Sequence, residues 1–171
     1  MADYKKSLQG YQNRAAGSYF EDLITATCEY YRVIHIAEIE KTPEPIKILA
    51  RPDQHGRFSA CYQKKAQPDF KGTVKGGKSV VFDCKNTFSD RILEHALSDE
   101  QRDALINHAV LGADAFVLVS FSFSEFFAVP IIVWIQMKQI FGRKYLKPED
   151  LTEYKVLAVN GIIDFLKIRS L

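Results

Sequence analysis

Asp69, Asp83 and Lys85, in the stretch QPDFKGTVKGGKSVVFDCKN (residues 67–86), are residues whose types and spacing could do chemistry. Two adjacent carboxylates can hold a divalent cation, and Mg²⁺ takes one or two such groups while keeping waters and substrate oxygens. A cation held in this way polarises a phosphate and activates water, which is what phosphodiester hydrolysis needs. The backbone carbonyl of Cys84 could complete the protein ligands to Mg²⁺, with Mn²⁺ able to substitute. Lys85 lies two residues past Asp83, on the same face of a strand. Its ammonium can stabilise charge that develops on the attacking water or the pentacovalent phosphate.

The elements that must position these groups begin with a hairpin, Asp69 to Val74 and Lys78 to Lys85, joined through Gly76-Gly77. A two-residue turn sets Asp69 opposite Cys84 and leaves Asp83 on the other face. A three-residue loop, Lys75-Gly76-Gly77 with a glycine bulge, sets Asp69 across from Asp83. Cross-strand neighbours have Cβ atoms about 5 Å apart, close enough to share a cation. In the second strand Val81, Asp83 and Lys85 alternate with Val80, Phe82 and Cys84, so a polar face and a core face are expected to separate.

Upstream, Tyr19, Phe20, Leu23, Ile24, Thr27, Tyr30 and Tyr31 recur at three- and four-residue spacing and predict an amphipathic helix over 14–31. Glu21 lies on it beside the apolar stripe, where it can reach a metal or a metal-bound water, or simply solvate its helix. Residues 33–39 read as a strand that ends before Lys41-Thr-Pro-Glu-Pro45. Ser98-Asp-Glu-Gln101 is a capping box for a helix to about Leu111, which by itself accounts for Gln101. Further strands are expected at 115–121 and 127–135, and a helix start at Lys147-Pro-Glu-Asp150. This order implies one α/β domain over 1–171, built on a mixed central sheet.

Composition agrees: 171 residues with 47% hydrophobic and 26% charged content describe a globular domain with a real core. The run 128–135 is too short to span a bilayer, and MADYKKSLQG lacks an apolar signal region, so a cytoplasmic protein with no membrane partner is expected. Cys28, Cys61 and Cys84 form no Cys-x-x-Cys pair and predict reduced, mostly packed thiols. His35, His55, His95 and His108 show no ligand spacing. The net charge is only +2, but residues 41–78 hold nine basic side chains against three acidic ones. Within that stretch, 47–67 lacks any clear periodicity, and a loop that long tends to be functional or disordered. Arg14 and Lys41 are candidate phosphate contacts. Trp134 and Phe121, Phe123, Phe126 and Phe127 read as core or as a dimer surface.

Pro68-Asp69, followed by Asp83-x-Lys85, resembles the signature of the restriction-endonuclease-like nuclease superfamily. Five motifs in order narrow the resemblance. Asn13-Arg14-x-x-Gly17-x-x-Phe20-Glu21, Ile39-x-Lys41-x-Pro43-x-Pro45, Asp69-Phe70-x-Gly72 and Val81-Phe82-Asp83-x-Lys85-x-Thr87 follow in order, with Gln101 on the next helix. Together, from about Asn13 to Phe127, they resemble the RecU-type Holliday junction resolvases of low-GC Gram-positive bacteria and their phages. The chain departs from that pattern at Asp83, where glutamate is usual. It departs again at Pro68, where a small hydroxyl residue is more usual nearby, and at Glu100, where a histidine is expected.

The resemblance implies a restriction-endonuclease-like fold and a metal-dependent endonuclease acting in DNA recombination and repair. It implies a homodimer whose two sites nick opposed strands of a four-way DNA junction. It also implies catalytic roles for Asp69, Asp83, Lys85, Glu21 and Gln101, and a protruding stalk at 47–67 that enters the junction. There Arg51, Arg57, Lys64 and Lys65 would contact phosphates, and Phe58 and Tyr62 would stack on unpaired bases. Two other readings stay open. A general restriction or repair nuclease would cut linear duplex equally well, and a non-catalytic DNA-bridging protein would have lost an acid or the lysine.

Overall fold

Apolar residues at helical spacing drive the first element of the computed structural model, which describes residues 2–62 and 67–167. Helix α1 runs Ala2–Val33. It buries Phe20, Ile24, Thr27, Cys28 and Tyr31 as one stripe, while Tyr19 stays half-exposed. The helix takes up Val33, and His35 turns the chain at φ 56°, so the first strand begins later than the β-branched residues suggest. That strand, β1, is Ala37–Lys41.

Next come β2 (Ile46–Ile48) and β3 (Ala60–Tyr62), then β4 (Phe70–Val74), β5 (Ser79–Thr87) and β6 (Ile92–Leu93). A 3₁₀ turn at Glu94–Ala96 leads to α2 (Asp99–Val110), β7 (Asp114–Phe121) and β8 (Glu125–Pro130). Short elements finish the described chain: α3 (Ile131–Ile135), α4 (Met137–Phe141), β9 (Tyr145–Leu146), a 3₁₀ helix (Pro148–Tyr154), β10 (Lys155–Val156), β11 (Ala158–Val159) and β12 (Ile162–Ile163). The expected strand over 127–135 therefore stops at Pro130. There the chain turns helical and buries Ile131, Val133 and Trp134 while leaving Ile132 exposed. Tertiary packing overrides the β-branched preference of that segment.

Six strands form the central sheet in the order β1-β4-β5-β7-β8-β10. Only β5 and β7 run parallel, joined through α2; the other neighbours are antiparallel. The result is the expected mixed α/β architecture. One face packs on α1, where Phe70, Phe82 and Phe116 stack across three adjacent strands with centroids 5.1 and 4.8 Å apart. The other face buries Val81, Val117, Val119, Leu105 and Trp134 beneath α2 and α3. Phe121, Phe126 and Phe127 belong to these cores. Strand β5 is thus covered on both sides, and the expected division into a polar and an apolar face fails: Asp83 emerges from an apolar layer. A central strand with a parallel neighbour has no solvent face to offer.

Of the two hairpin registers, the structure takes the three-residue loop. Phe70 pairs with Phe82 and Gly72 with Val80, and Val74 N–H donates to Lys78 O at 2.9 Å. Gly76 and Gly77 both adopt positive φ, +97° and +87°. Gly72 is required for another reason. A Cβ there would overlap the Glu38 carbonyl oxygen and lie 2.6 Å from Ile39 Cα.

Among the described residues, strands β2 and β3 pair only with each other, Ile46 opposite Tyr62 and Ile48 opposite Ala60, and form a ribbon separate from the main sheet. Residues 46–61 are exposed on both faces, Ile46, Ile48 and Leu49 included. Asp53 closes the tip by accepting the N–H groups of His55 and Arg57 at 2.8 and 2.9 Å. The stretch that looked irregular is therefore partly a short β-ribbon. No helix among the described residues is long and apolar enough to cross a membrane.

Candidate active site

The register that sets Phe70 against Phe82 brings Asp69 and Asp83 to the same end of the hairpin, one residue beyond that pair. Asp69 is fixed from the side, its Oδ2 accepting the Cys84 N–H at 2.8 Å. Asp83 is fully buried, and Gln101 Nε2 donates to its Oδ1 at 2.7 Å. Lys85 Nζ stands 3.7 Å from the same oxygen, with its side chain 18% exposed. Asp83 Oδ2 is buried and has no hydrogen-bond partner.

Burial pushes the Asp83 carboxyl up to about 7; the neighbouring Asp69 charge adds to the rise and Lys85 opposes it. A buried carboxylate oxygen with nothing to bind, next to a second carboxylate, is an arrangement that a cation would relieve. The donors are hard oxygens and suit a divalent ion that keeps much of its water. Among the described residues no three His, Cys, Asp or Glu side chains gather as for a closed metal cage. Asp69 and Asp83 are the two carboxylates that could hold such an ion.

Gln101 works at both ends of its amide. Its Oε1 accepts the Ser98 N–H at 3.2 Å, completing the capping box, while Nε2 holds Asp83. The start of α2 and the orientation of Asp83 are set by one side chain.

Glu21 and Lys41, expected at a metal and at a phosphate respectively, are bonded to each other, Lys41 Nζ to Glu21 Oε2 at 2.8 Å. The Glu21 hydrogen bond raises the Lys41 pKa, and the Asp69 charge contributes a smaller part of that rise. Both residues therefore border the carboxylate pair, next to Thr42, whose N–H donates to Asp69 O at 2.8 Å. Sequence reasoning missed this link because the two residues lie on different elements and no spacing connects them. Arg14 is exposed on α1, two turns before Glu21 and so on the same side of the helix.

Arg51, Arg57 and Phe58 sit in the exposed ribbon, apart from the carboxylates in the chain. Lys64 and Lys65 lie outside the described residues, as does the side chain of Tyr62. Burial raises the thiols of Cys28, to about 12, and of Cys84, so both pack as neutral groups. Cys61 is exposed, and no disulfide joins the three.

Residues 15–170 match the family model described as RecU, Recombination protein U. The chain belongs to this family. The Holliday junction resolvase RecU of Bacillus cereus (strain B4264) is 27% identical over 174 residues, covering 92% of this chain and 84% of that protein. The RecU resolvase of Geobacillus kaustophilus is 28% identical over 157 residues, covering 84% and 75%. Among solved structures, Hjc, a Holliday junction resolvase from Archaeoglobus fulgidus, matches with a TM-score of 0.48 and 14% identity, over 81% of this chain and 88% of that one.

Proposed function

We propose that this RecU-family chain is an endodeoxyribonuclease that resolves four-way DNA junctions in recombination and repair. The observation that carries the reading is the buried Asp83, with one oxygen unpartnered, beside Asp69 and 3.7 Å from Lys85. Asp69 and Asp83 would hold Mg²⁺ or Mn²⁺, with the Cys84 carbonyl and Glu21 at the border of the site. That ion supplies an activated water and neutralises phosphate charge. The chain's own groups do the rest. Gln101 keeps Asp83 oriented, and Lys85 offers an ammonium to charge that develops on the phosphate. Arg14 and, when released from Glu21, Lys41 would meet backbone phosphates, which position a duplex without reading it.

The exposed β2–β3 ribbon is the stalk of this proposal, presenting Arg51, Arg57 and Phe58 to the branch point. A junction cut by paired symmetric nicks needs two sites facing opposed strands, so the working unit is a homodimer.

A cleavage assay with Mg²⁺ tests the reading, comparing a synthetic four-way junction with linear duplex of the same sequence for wild type and Lys85→Ala. Paired nicks on the junction alone, lowered about 10²–10³-fold by the substitution, are expected. Equal cutting of linear duplex would replace the proposal with a general nuclease. Absence of cutting on either substrate would leave a DNA-binding protein.

A further inference from the structure

Lys41 ends β1 and Thr42 follows it, so in extended backbone the two side chains face opposite sides of the sheet. Lys41 pairs with Phe70, on the face that packs against α1, and meets Glu21 there. Thr42 carries the ladder one residue further, its N–H donating to Asp69 O at 2.8 Å. Pro43 comes next and holds Thr42 extended. Residues opposite each other in an antiparallel pair share a face, which puts the Thr42 side chain on the side of Asp69. The β4–β5 register, continued by one residue past Phe70 and Phe82, sets Asp69 across from Asp83. Thr42, Asp69 and Asp83 thus form one row across the ends of β1, β4 and β5, on the side from which Gln101 reaches Asp83.

Both ends of this row carry an unmet oxygen. Among the described residues four buried side-chain polar atoms have no hydrogen-bond partner, and two of the four are Asp83 Oδ2 and Thr42 Oγ1. A buried hydroxyl without a partner is unfavourable. The strand itself does not call for one, because valine has the same branched shape and a similar strand preference with nothing to satisfy. A hydroxyl can donate and accept at once, which suits it to a hydrated cation. Mg²⁺ gives up its waters reluctantly and keeps several of them when bound. Thr42 is placed to hold one such water of an ion bound at Asp69 and Asp83, from the neighbouring strand.

We propose that Thr42 is a positioning residue of the cation site: its hydroxyl bonds the water shell of a divalent ion on Asp69 and Asp83 from the β1 side, as Gln101 fixes Asp83 from the α2 side. The inference rests on the proposed cation-dependent nuclease and adds to it a residue that tunes cation affinity without touching the phosphate. Loss of an outer partner of this kind lowers metal affinity or activity about 10–100-fold. The two neighbours Lys41 and Thr42 then serve different parts of the site, one through Glu21 and the other through the row of oxygens.

The test compares wild type with Thr42→Val, which keeps the shape and removes the hydroxyl, and Thr42→Ser, which keeps the hydroxyl. Isothermal titration calorimetry with Mn²⁺ alone, in the absence of DNA, reads cation affinity, and melting temperature is measured separately with chelator. Thr42→Val is expected to bind Mn²⁺ about tenfold or more weakly, while Thr42→Ser stays close to wild type. With chelator Thr42→Val should melt no lower than wild type, since the hydroxyl it removes has no partner there. Equal Mn²⁺ affinity in wild type and Thr42→Val would overturn the assignment and leave the cation site standing. A lower melting temperature of Thr42→Val with chelator would also overturn it, because the hydroxyl would then be serving the fold. A wild type that binds no Mn²⁺ would overturn the cation site and this inference together. A wild type that binds Mn²⁺ but cuts no junction would refute the nuclease reading, while the calorimetry would still decide the role of Thr42.

Discussion

Replacing Asp83 with asparagine should abolish cleavage and yet make the metal-free protein more stable. Asp83 is fully buried, one of its oxygens has no partner, and Asp69 stands beside it. Burial, with the neighbouring Asp69 charge, raises its carboxyl from 3.8 to about 7, worth up to about 4 kcal/mol between the two protonation states. Because the folded value lies above the unfolded one, this carboxyl destabilises the ionised protein. The stability it withholds is fully present below pH 3.8 and is lost as the pH rises through about 7. Asparagine keeps an oxygen for Gln101 Nε2 and puts an N–H donor where the orphaned oxygen stood. At pH 8 the variant should therefore melt roughly 10 °C higher than wild type, and at pH 5 the gap should shrink to a third or so.

Differential scanning calorimetry with chelator present at both pH values measures this directly. Adding Mg²⁺ should then raise the melting temperature of wild type alone, by about 2.7 kcal/mol of stabilisation at one hundred times the dissociation constant. Junction affinity should be kept or improved, since a negative charge is removed. A variant no more stable than wild type at pH 8, or a gap that does not narrow at pH 5, would refute the account of Asp83 as a desolvated, unsatisfied carboxylate.

Gly72→Ala should destabilise the fold by about 3 kcal/mol or more, read by urea denaturation, because its Cβ would meet the Glu38–Ile39 backbone rather than a movable side chain. Gln101→Glu retains the cap on α2 but places a second acid at Asp83. Helix content should hold while stability at pH 8 falls by about 2 kcal/mol and recovers as the pH drops, measured by circular dichroism. Shortening the ribbon by joining Leu49 to Ser59, which are already hydrogen-bonded at 2.8 Å, should leave the melting temperature unchanged. Preference for junction over linear duplex in a competition assay should disappear.

Local signals were legible where a short stretch of sequence determines its own geometry. The α1 stripe, the glycine loop of the hairpin and the Ser98–Gln101 box all appear as read. The sequence allowed both hairpin registers, and the choice between them lies in the pairing of β4 with its neighbours, where Gly72 closes against β1. Residues 131–135 have the composition of a strand and form a helix, since their fate depends on what covers the sheet beyond Pro130. The β2–β3 ribbon escaped notice because strands exposed on both faces leave no alternation of polar and apolar residues to read.

The same distinction runs through the site. The relation of Asp83 to Lys85 was legible from spacing, since a strand fixes it, whereas that of Asp69 to Asp83 depended on a hairpin register the sequence left open. Their electrostatics were not legible, because these depend on β5 being covered from both sides. An Asp-x-Lys on an edge strand would be a solvated ion pair of little consequence. On β5 the carboxylate leaves water altogether, its nearest donor comes from a helix eighteen residues along the chain, and one oxygen stays unmatched. Asp83 pairs with Val117 across the β5–β7 ladder and lies two residues from Val81 on the same strand, inside an apolar layer. Gln101 then has to reach inward to meet it, and it can do so because the other end of its amide is anchored at the N-terminus of α2. Removing the capping contact should therefore disturb the site as well as the helix, and the capping box that seemed sufficient to explain Gln101 is half of its role.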